Sequence, residues 1–125
     1  MSASGNAVLV ADDDLGIRST VAEILRNEGY DVREAQDGDE ALARLADGPV
    51  DVLLLDVRMP RRDGPAVLAA LASPPVTILV SAFSLDGPLR QAVETKIFRY
   101  MRKPVRPREL ISAVAEAAAK ARSAS

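Results

Sequence analysis

Cysteine and histidine are both absent from the 125 residues. Without cysteine there is neither a disulfide framework nor a thiolate metal site. Without histidine, imidazole is unavailable as base, nucleophile or ligand. Chemistry on this chain must use carboxylate, hydroxyl, lysine or a bound metal. No apolar run approaches the roughly 18 residues that would span a bilayer, and the opening MSASGNA lacks the basic segment and long apolar stretch of a secretory signal. The expectation is a cytoplasmic protein with no membrane segment. A net charge of −2 supplies no general attraction to nucleic acid.

What is present is a soluble composition, 48% hydrophobic and 27% charged. A chain this long makes about one domain and buries roughly two-thirds of its unfolded surface. Charge is uneven: Arg90, Lys96, Arg99, Arg102, Lys103, Arg106 and Arg108 face only Glu94 in the same stretch. Apolar runs at Ala7–Val10, Asp31–Ala35, Val52–Leu55, Val76–Val80 and Phe98–Met101 predict five strands. Helical spacing predicts Asp14–Glu28, with Asp14 as N-cap and Gly29 past its end, then Asp39–Ala46, Pro65–Ala72, Pro88–Lys96 capped by Asp86, and Pro107–Arg122. Strict alternation of strand and helix, with strands that read as continuous apolar runs, predicts an α/β fold: a doubly wound five-stranded parallel sheet with five helices. Residues 7–122 form the expected domain, between flexible termini at 1–6 and 123–125.

Ligands in such folds bind beyond the carboxyl ends of the strands. Four of the apolar runs end near polar groups: Asp12 and Asp13 after AVLVA, Asp56 after DVLLL, Ser81 after VTILV, and Lys103 before Pro104. Carboxylates gathered at one edge repel, which raises a pKa or recruits a cation. An all-oxygen donor set with few carboxylates suits Mg²⁺, with Mn²⁺ as a substitute. Each residue also has a plainer reading. An acidic pair after a strand can cap a helix, Asp56 can be a solvated loop residue, Ser81 can bond only its own backbone, and Lys103 can be a solvated lysine.

The combination VLVADDD (8–14), DGDEAL (37–42), DVLLLDVRMPRRDG (51–64), VTILVSA (76–82) and YMRKP (100–104) resembles the response-regulator receiver domain of two-component signalling, over nearly the whole chain. The resemblance implies the flavodoxin-like receiver fold. It makes Asp56 the phosphoacceptor, phosphorylated from a histidine kinase or histidine phosphotransfer protein. Asp13, Asp56 and the Arg58 backbone carbonyl would hold Mg²⁺, with Asp12 acting through a metal-bound water. Lys103 would supply fixed positive charge, Ser81 would bond a phosphoryl oxygen, and Tyr100 would move with Ser81 as a switch. The Lys103–Pro104 bond would be cis. The face of the fourth helix, fifth strand and fifth helix would engage a downstream protein or a phosphorylation-dependent dimer, without direct nucleic-acid binding. That face coincides with the basic stretch, which reads equally as a solvated surface or as one selecting an acidic partner.

Two departures stand out. Lys96-Ile97 replaces the Gly-Ala common in the family, which restricts the backbone of the loop before the fifth strand. Arg58 and Phe83 occupy the positions that, by the resemblance, tune loss of the phosphoryl group, and a bulky Phe83 implies slow loss. Ile17 fits the core stripe of the first helix, although that end of the helix can also dock the phosphodonor in the family. Other classes remain to be weighed: a phosphorelay intermediate, a phosphate-independent scaffold, or an aspartyl-phosphate hydrolase. The hydrolase commonly carries a second Asp two residues after the nucleophile, where this chain has Arg58. A flavodoxin-like nucleotide binder would need a glycine- or hydroxyl-rich loop where this chain has acids. The expected protein is not a turnover enzyme, and it acts either as a stand-alone receiver or as a piece of a longer regulator or hybrid kinase.

Overall fold

The computed structural model describes residues 6–123. Five strands and five helices alternate without exception: β1 (Ala7–Ala11), α1 (Leu15–Asn27), β2 (Asp31–Ala35), α2 (Gly38–Asp47), β3 (Val52–Asp56), α3 (Gly64–Ala69), β4 (Val76–Ser81), α4 (Gly87–Val93), β5 (Arg99–Arg102) and α5 (Pro107–Ser123). All pairings are parallel, in the order β2-β1-β3-β4-β5. The doubly wound architecture is thus as expected. Of the expected flexible ends, residues 1–5 and 124–125 lie outside the described residues. Asn6 accepts a hydrogen bond from the Asp31 amide through its carbonyl, and Ser123 is the last residue of α5.

Because successive side chains on a strand point to opposite faces, each strand feeds two cores. Val8, Val10, Val52, Leu54, Ile78 and Val80 pack with Leu25 of α1 and Leu110, Ala113, Val114 and Ala117 of α5. Leu9, Leu53, Leu55 and Leu79 face the other way, onto Ala41 of α2, Val67 and Leu68 of α3 and Val93 of α4. The central strand β3 is buried at every position. Each of its leucines is worth about 1.5–3 kcal/mol of burial, which anchors the residue that ends the strand.

The helix ends show where local chemistry prevailed. Asp14 caps α1 by accepting from the Ile17 amide at 3.0 Å, and Gly29 adopts φ 96°, the left-handed geometry of a residue just past a helix end. Asp37 and Asp63 cap α2 and α3 in the same way. Asp86 sits at the N-cap of α4, but its side chain makes no capping bond. Pro88 removes one of the amides it would have served. Two helices stop three residues earlier than their spacing predicted. α3 ends at Ala69, ahead of Ser73-Pro74-Pro75, where prolines disfavour helical backbone before them. α4 ends at Val93, before the β-branched Thr95 and Ile97. Four strands end one residue further than predicted, β5 also starting one residue later, and this puts Asp56 and Ser81 on strands rather than in loops.

Candidate functional site

β1 and β3 are neighbours, with Ala11 opposite Leu55, so their carboxyl ends bring the acids together. Asp12 is buried, donates its amide to the Ala35 carbonyl at 3.1 Å and accepts from the Asp14 amide at 2.9 Å through Oδ1. Asp13 is exposed between them. Asp56 is 6% exposed, the last residue of the buried β3. One carboxylate oxygen from each of Asp12, Asp13 and Asp56 lies within 4.8 Å of the others. Asp14, by contrast, keeps the plain role of helix cap.

The backbone beyond Asp56 is held by a close approach that only glycine permits. A Cβ on Gly64 would stand 2.6 Å from the Asp56 carbonyl oxygen. The Gly64 amide instead donates to the Val57 carbonyl at 2.8 Å, which folds the segment carrying Arg58 back against the end of β3.

Lys103 reaches the same cluster from just past β5. Its Nζ is 3.0 Å from Asp12 Oδ2 and 3.4 Å from Asp56 Oδ2. The Lys103 amide donates to the Ser81 carbonyl at 2.8 Å, and the Lys103–Pro104 bond is cis. Burial and the neighbouring Asp12 charge push the Asp56 carboxyl up to about 6, with Lys103 partly offsetting them. For Lys103, burial works against the ammonium. The hydrogen bond to Asp12 and the charges of Asp56 and Asp12 outweigh it, so its affinity for a proton is raised.

Ser81 is buried at the end of β4, and its Oγ accepts from the Phe83 amide at 3.1 Å. The local backbone bond is therefore present in this state. Phe83 is half-exposed at the rim, and the Arg58 guanidinium lies over its ring at 4.5 Å from the centroid. Tyr100, partly buried on β5, donates its hydroxyl to the Phe83 carbonyl. Ile17 is 39% exposed, not core: it lies on the apolar side of α1, but at the first turn that side faces an open cleft. It lines a cleft of about 720 Å³ that runs from Asp12, Asp56 and Lys103 between α1 and α5, with Val21, Ile24, Val105 and Leu110 as further walls.

Much of the basic stretch is engaged within the chain. Arg90 pairs with Glu94, Arg99 with Glu116, and Lys103 with the acids. Arg102, which composition did not single out from the stretch, donates to the Ala82 carbonyl at 3.1 Å and to Ser84 Oγ at 3.2 Å. Arg18 is a site residue that no motif marks. It bonds the Asp12 carbonyl at 2.9 Å and Glu34 at 3.2 Å. Its position four residues after the capping Asp14, on the polar side of α1, is the one signal the sequence offers for it.

The donor set fits a hard divalent cation. All three clustered side chains offer oxygen, and a cation between them would offset the burial and, after it, the Asp12 repulsion that hold Asp56 above the ordinary carboxylate range. Among the described residues no helix is long and apolar enough to cross a membrane.

Residues 8–115 match the family described as "Response regulator receiver domain". The chain is 37% identical over 110 residues to the transcriptional regulatory protein PdtaR of Mycobacterium tuberculosis, covering 86% of this chain and 54% of that protein. It is 36% identical over 113 residues to the transcriptional regulatory protein CpxR of Escherichia coli K12, covering 87% and 47%. The chain thus spans about half the length of these curated relatives. A receiver domain protein (CheY-like) from Methanospirillum hungatei superposes with a TM-score of 0.88 at 25% identity, over 96% of this chain and 98% of that one. The receiver domain of Francisella response regulator 1452 gives 0.82 at 31% identity, over 92% and 98%.

Proposed function

The chain belongs to the response regulator receiver domain family of two-component signalling, and on that premise we propose that Asp56 is its phosphoacceptor, within a receiver unit of residues 7–122. The observation that carries this reading is the convergence of Asp12, Asp13 and Asp56 with the Lys103 ammonium at the carboxyl edge of the sheet. A carboxylate oxygen of Asp56 forms the new O–P bond as the P–N bond of a donor phosphohistidine, or the P–O bond of an acyl phosphate, breaks. The leaving group takes the bonding pair. Lys103 lies where it can balance charge on the phosphoryl oxygens, and Ser81 supplies a hydroxyl that donates to one of them once released from Phe83.

Mg²⁺, or Mn²⁺ in its place, would be held by Asp13, Asp56 and the Arg58 carbonyl, with Asp12 acting through water. When bound it neutralises charge on the phosphoryl group. Tyr100 and Ser81 converge on Phe83, one at its carbonyl and the other at its amide. Movement of the Ser81 hydroxyl toward a phosphoryl oxygen would therefore be felt at Tyr100, and through it at the face formed by α4, β5 and α5. We assign that face to a downstream protein or a phosphorylation-dependent dimer, and the cleft beside Ile17 to the histidine kinase or phosphotransfer protein. Receiver domains are generally switches rather than turnover enzymes, and this one is assigned to the cytoplasm.

Incubation with acetyl phosphate and Mg²⁺, followed by intact mass, tests the acceptor. One phosphoryl group is expected on the wild type, and none on Asp56→Asn or in EDTA. An adduct that persists on Asp56→Asn would remove Asp56 from this role. Arg58 and Phe83 stack and line one pocket with Ser81, and we infer that they favour slow loss of that group by hindering the approach of water. Phe83→Ala or Arg58→Asn should shorten the lifetime of the adduct by about tenfold, roughly 1.4 kcal/mol of barrier. A lifetime no shorter than wild type in both variants would count against shielding.

A further inference from the structure

We infer that Arg18 is a positioning residue that sets the geometry of the acidic pocket for its cation, a role that rests on the metal reading above. Its side chain is only 13% exposed. Nη1 donates to the Asp12 carbonyl at 2.9 Å while Nε donates to Glu34 Oε1 at 3.2 Å. Glu34 is itself paired with Arg26 at 3.3 Å, and Arg26 also donates to the Val32 carbonyl at 2.8 Å. The guanidinium is thus fixed between α1 and β2 before it touches the pocket.

The atom it holds matters because a peptide unit is planar. The Asp12 carbonyl belongs to the bond joining Asp12 to Asp13, so clamping that oxygen fixes the plane from which the Asp13 side chain departs. Every other polar atom of Asp12 is already held: the amide by Ala35, Oδ1 by the Asp14 amide and Oδ2 by Lys103. Asp13 is exposed, and no such set of bonds restrains its carboxylate. Its direction depends on the backbone that Arg18 secures. Groups that orient metal ligands without touching the metal commonly change affinity 10- to 100-fold when removed.

Charge and position make opposite predictions here. Removing a guanidinium beside a dication site, and leaving Glu34 with less positive charge near it, strengthens cation binding by Coulomb's law alone. Loss of position weakens it. In a titration of ¹⁵N-labelled protein with MgCl₂, followed through amide shifts near Asp13 and Asp56, Arg18→Met should raise the apparent Kd about tenfold. Arg18→Lys keeps the charge but offers no planar fork to bridge Asp12 and Glu34 together, so it should recover only part of the affinity. Arg26→Met, which removes a guanidinium from Glu34 without touching Asp12, should bind as tightly as wild type or tighter.

Equal or tighter binding by Arg18→Met overturns the inference. If that variant does not fold, wild-type affinity in Arg18→Lys overturns it instead, and weakened affinity supports it. A wild type that shows no saturable response to MgCl₂ overturns the metal reading itself, and the role of Arg18 with it.

Discussion

Asp56→Asn is expected to make the metal-free protein more stable at pH 7, by about 2 kcal/mol, while abolishing phosphoryl acceptance. The Asp56 carboxyl is raised from 3.8 to about 6, chiefly by burial and then by the Asp12 charge. Two pH units correspond to about 3 kcal/mol, which water at the mouth of the site reduces. The sign comes from proton linkage. Between pH 4 and 6 the folded state binds more protons at Asp56 than the unfolded state does, so stability falls as pH rises through that window and levels off above it. Asparagine does not titrate and escapes the loss. In urea unfolding with EDTA, the advantage of the variant should be near zero below pH 4, grow to pH 6 and stay constant to pH 8. Adding MgCl₂ should narrow the gap by stabilising the wild type. A pH-independent difference, or a more stable wild type at pH 7, would contradict this account of the pocket. The same titration bears on acceptance: with limiting Mg²⁺ the initial rate should fall below pH 6 as the nucleophilic carboxylate is protonated, with the midpoint moving lower as Mg²⁺ is raised.

The second large effect is expected at Lys103. Lys103→Met leaves Asp12 and Asp56 facing each other without the ammonium now 3.0 and 3.4 Å away. Breaking such a pair while one side stays buried costs about 3 kcal/mol, and the Asp56 carboxyl should rise above its present value of about 6. A dication substitutes for the lost charge in the resting protein, so MgCl₂ should recover much of the stability. It does not reproduce a donor aimed at the phosphoryl oxygens, so phosphorylation by acetyl phosphate at saturating Mg²⁺ should remain slower by about 100-fold. Unfolding curves and adduct formation, measured on the same sample with and without MgCl₂, separate the two roles. Wild-type phosphorylation in this variant would confine Lys103 to charge balance.

Both effects lie at residues legible in the amino-acid sequence, and the reason is topological. Four apolar runs, in a chain where strands and helices alternate, place the residues just past them at the same sheet edge, because parallel strands all point the same way. That argument located Asp12, Asp13, Asp56, Ser81 and Lys103 within a residue or two, and the resemblance supplied their roles. The sheet also extended further than apolar content suggested. Asp56 and Ser81 are strand residues because ladder hydrogen bonds continue past the last hydrophobic side chain.

Periodicity misplaced Ile17. It falls on the apolar stripe of α1, yet at the first turn there is nothing for that stripe to pack against except the open cleft. Periodicity likewise overran α3 and α4, whose ends were decided by prolines and β-branched residues.

By itself, then, the sequence determined the fold class, the edge at which chemistry occurs and the identity of the acids, hydroxyl and lysine gathered there. These arise from patterns repeated along the chain and from the absence of histidine and cysteine. Tertiary structure alone decided the pairings between residues far apart: Arg58 over Phe83, Tyr100 on the Phe83 carbonyl, Lys103 on Asp12, and Arg18 between Asp12 and Glu34. A side chain's nearest polar neighbour depends on where two loops meet and on a few tenths of an ångström. Neither hydrophobic period nor residue type encodes that distance.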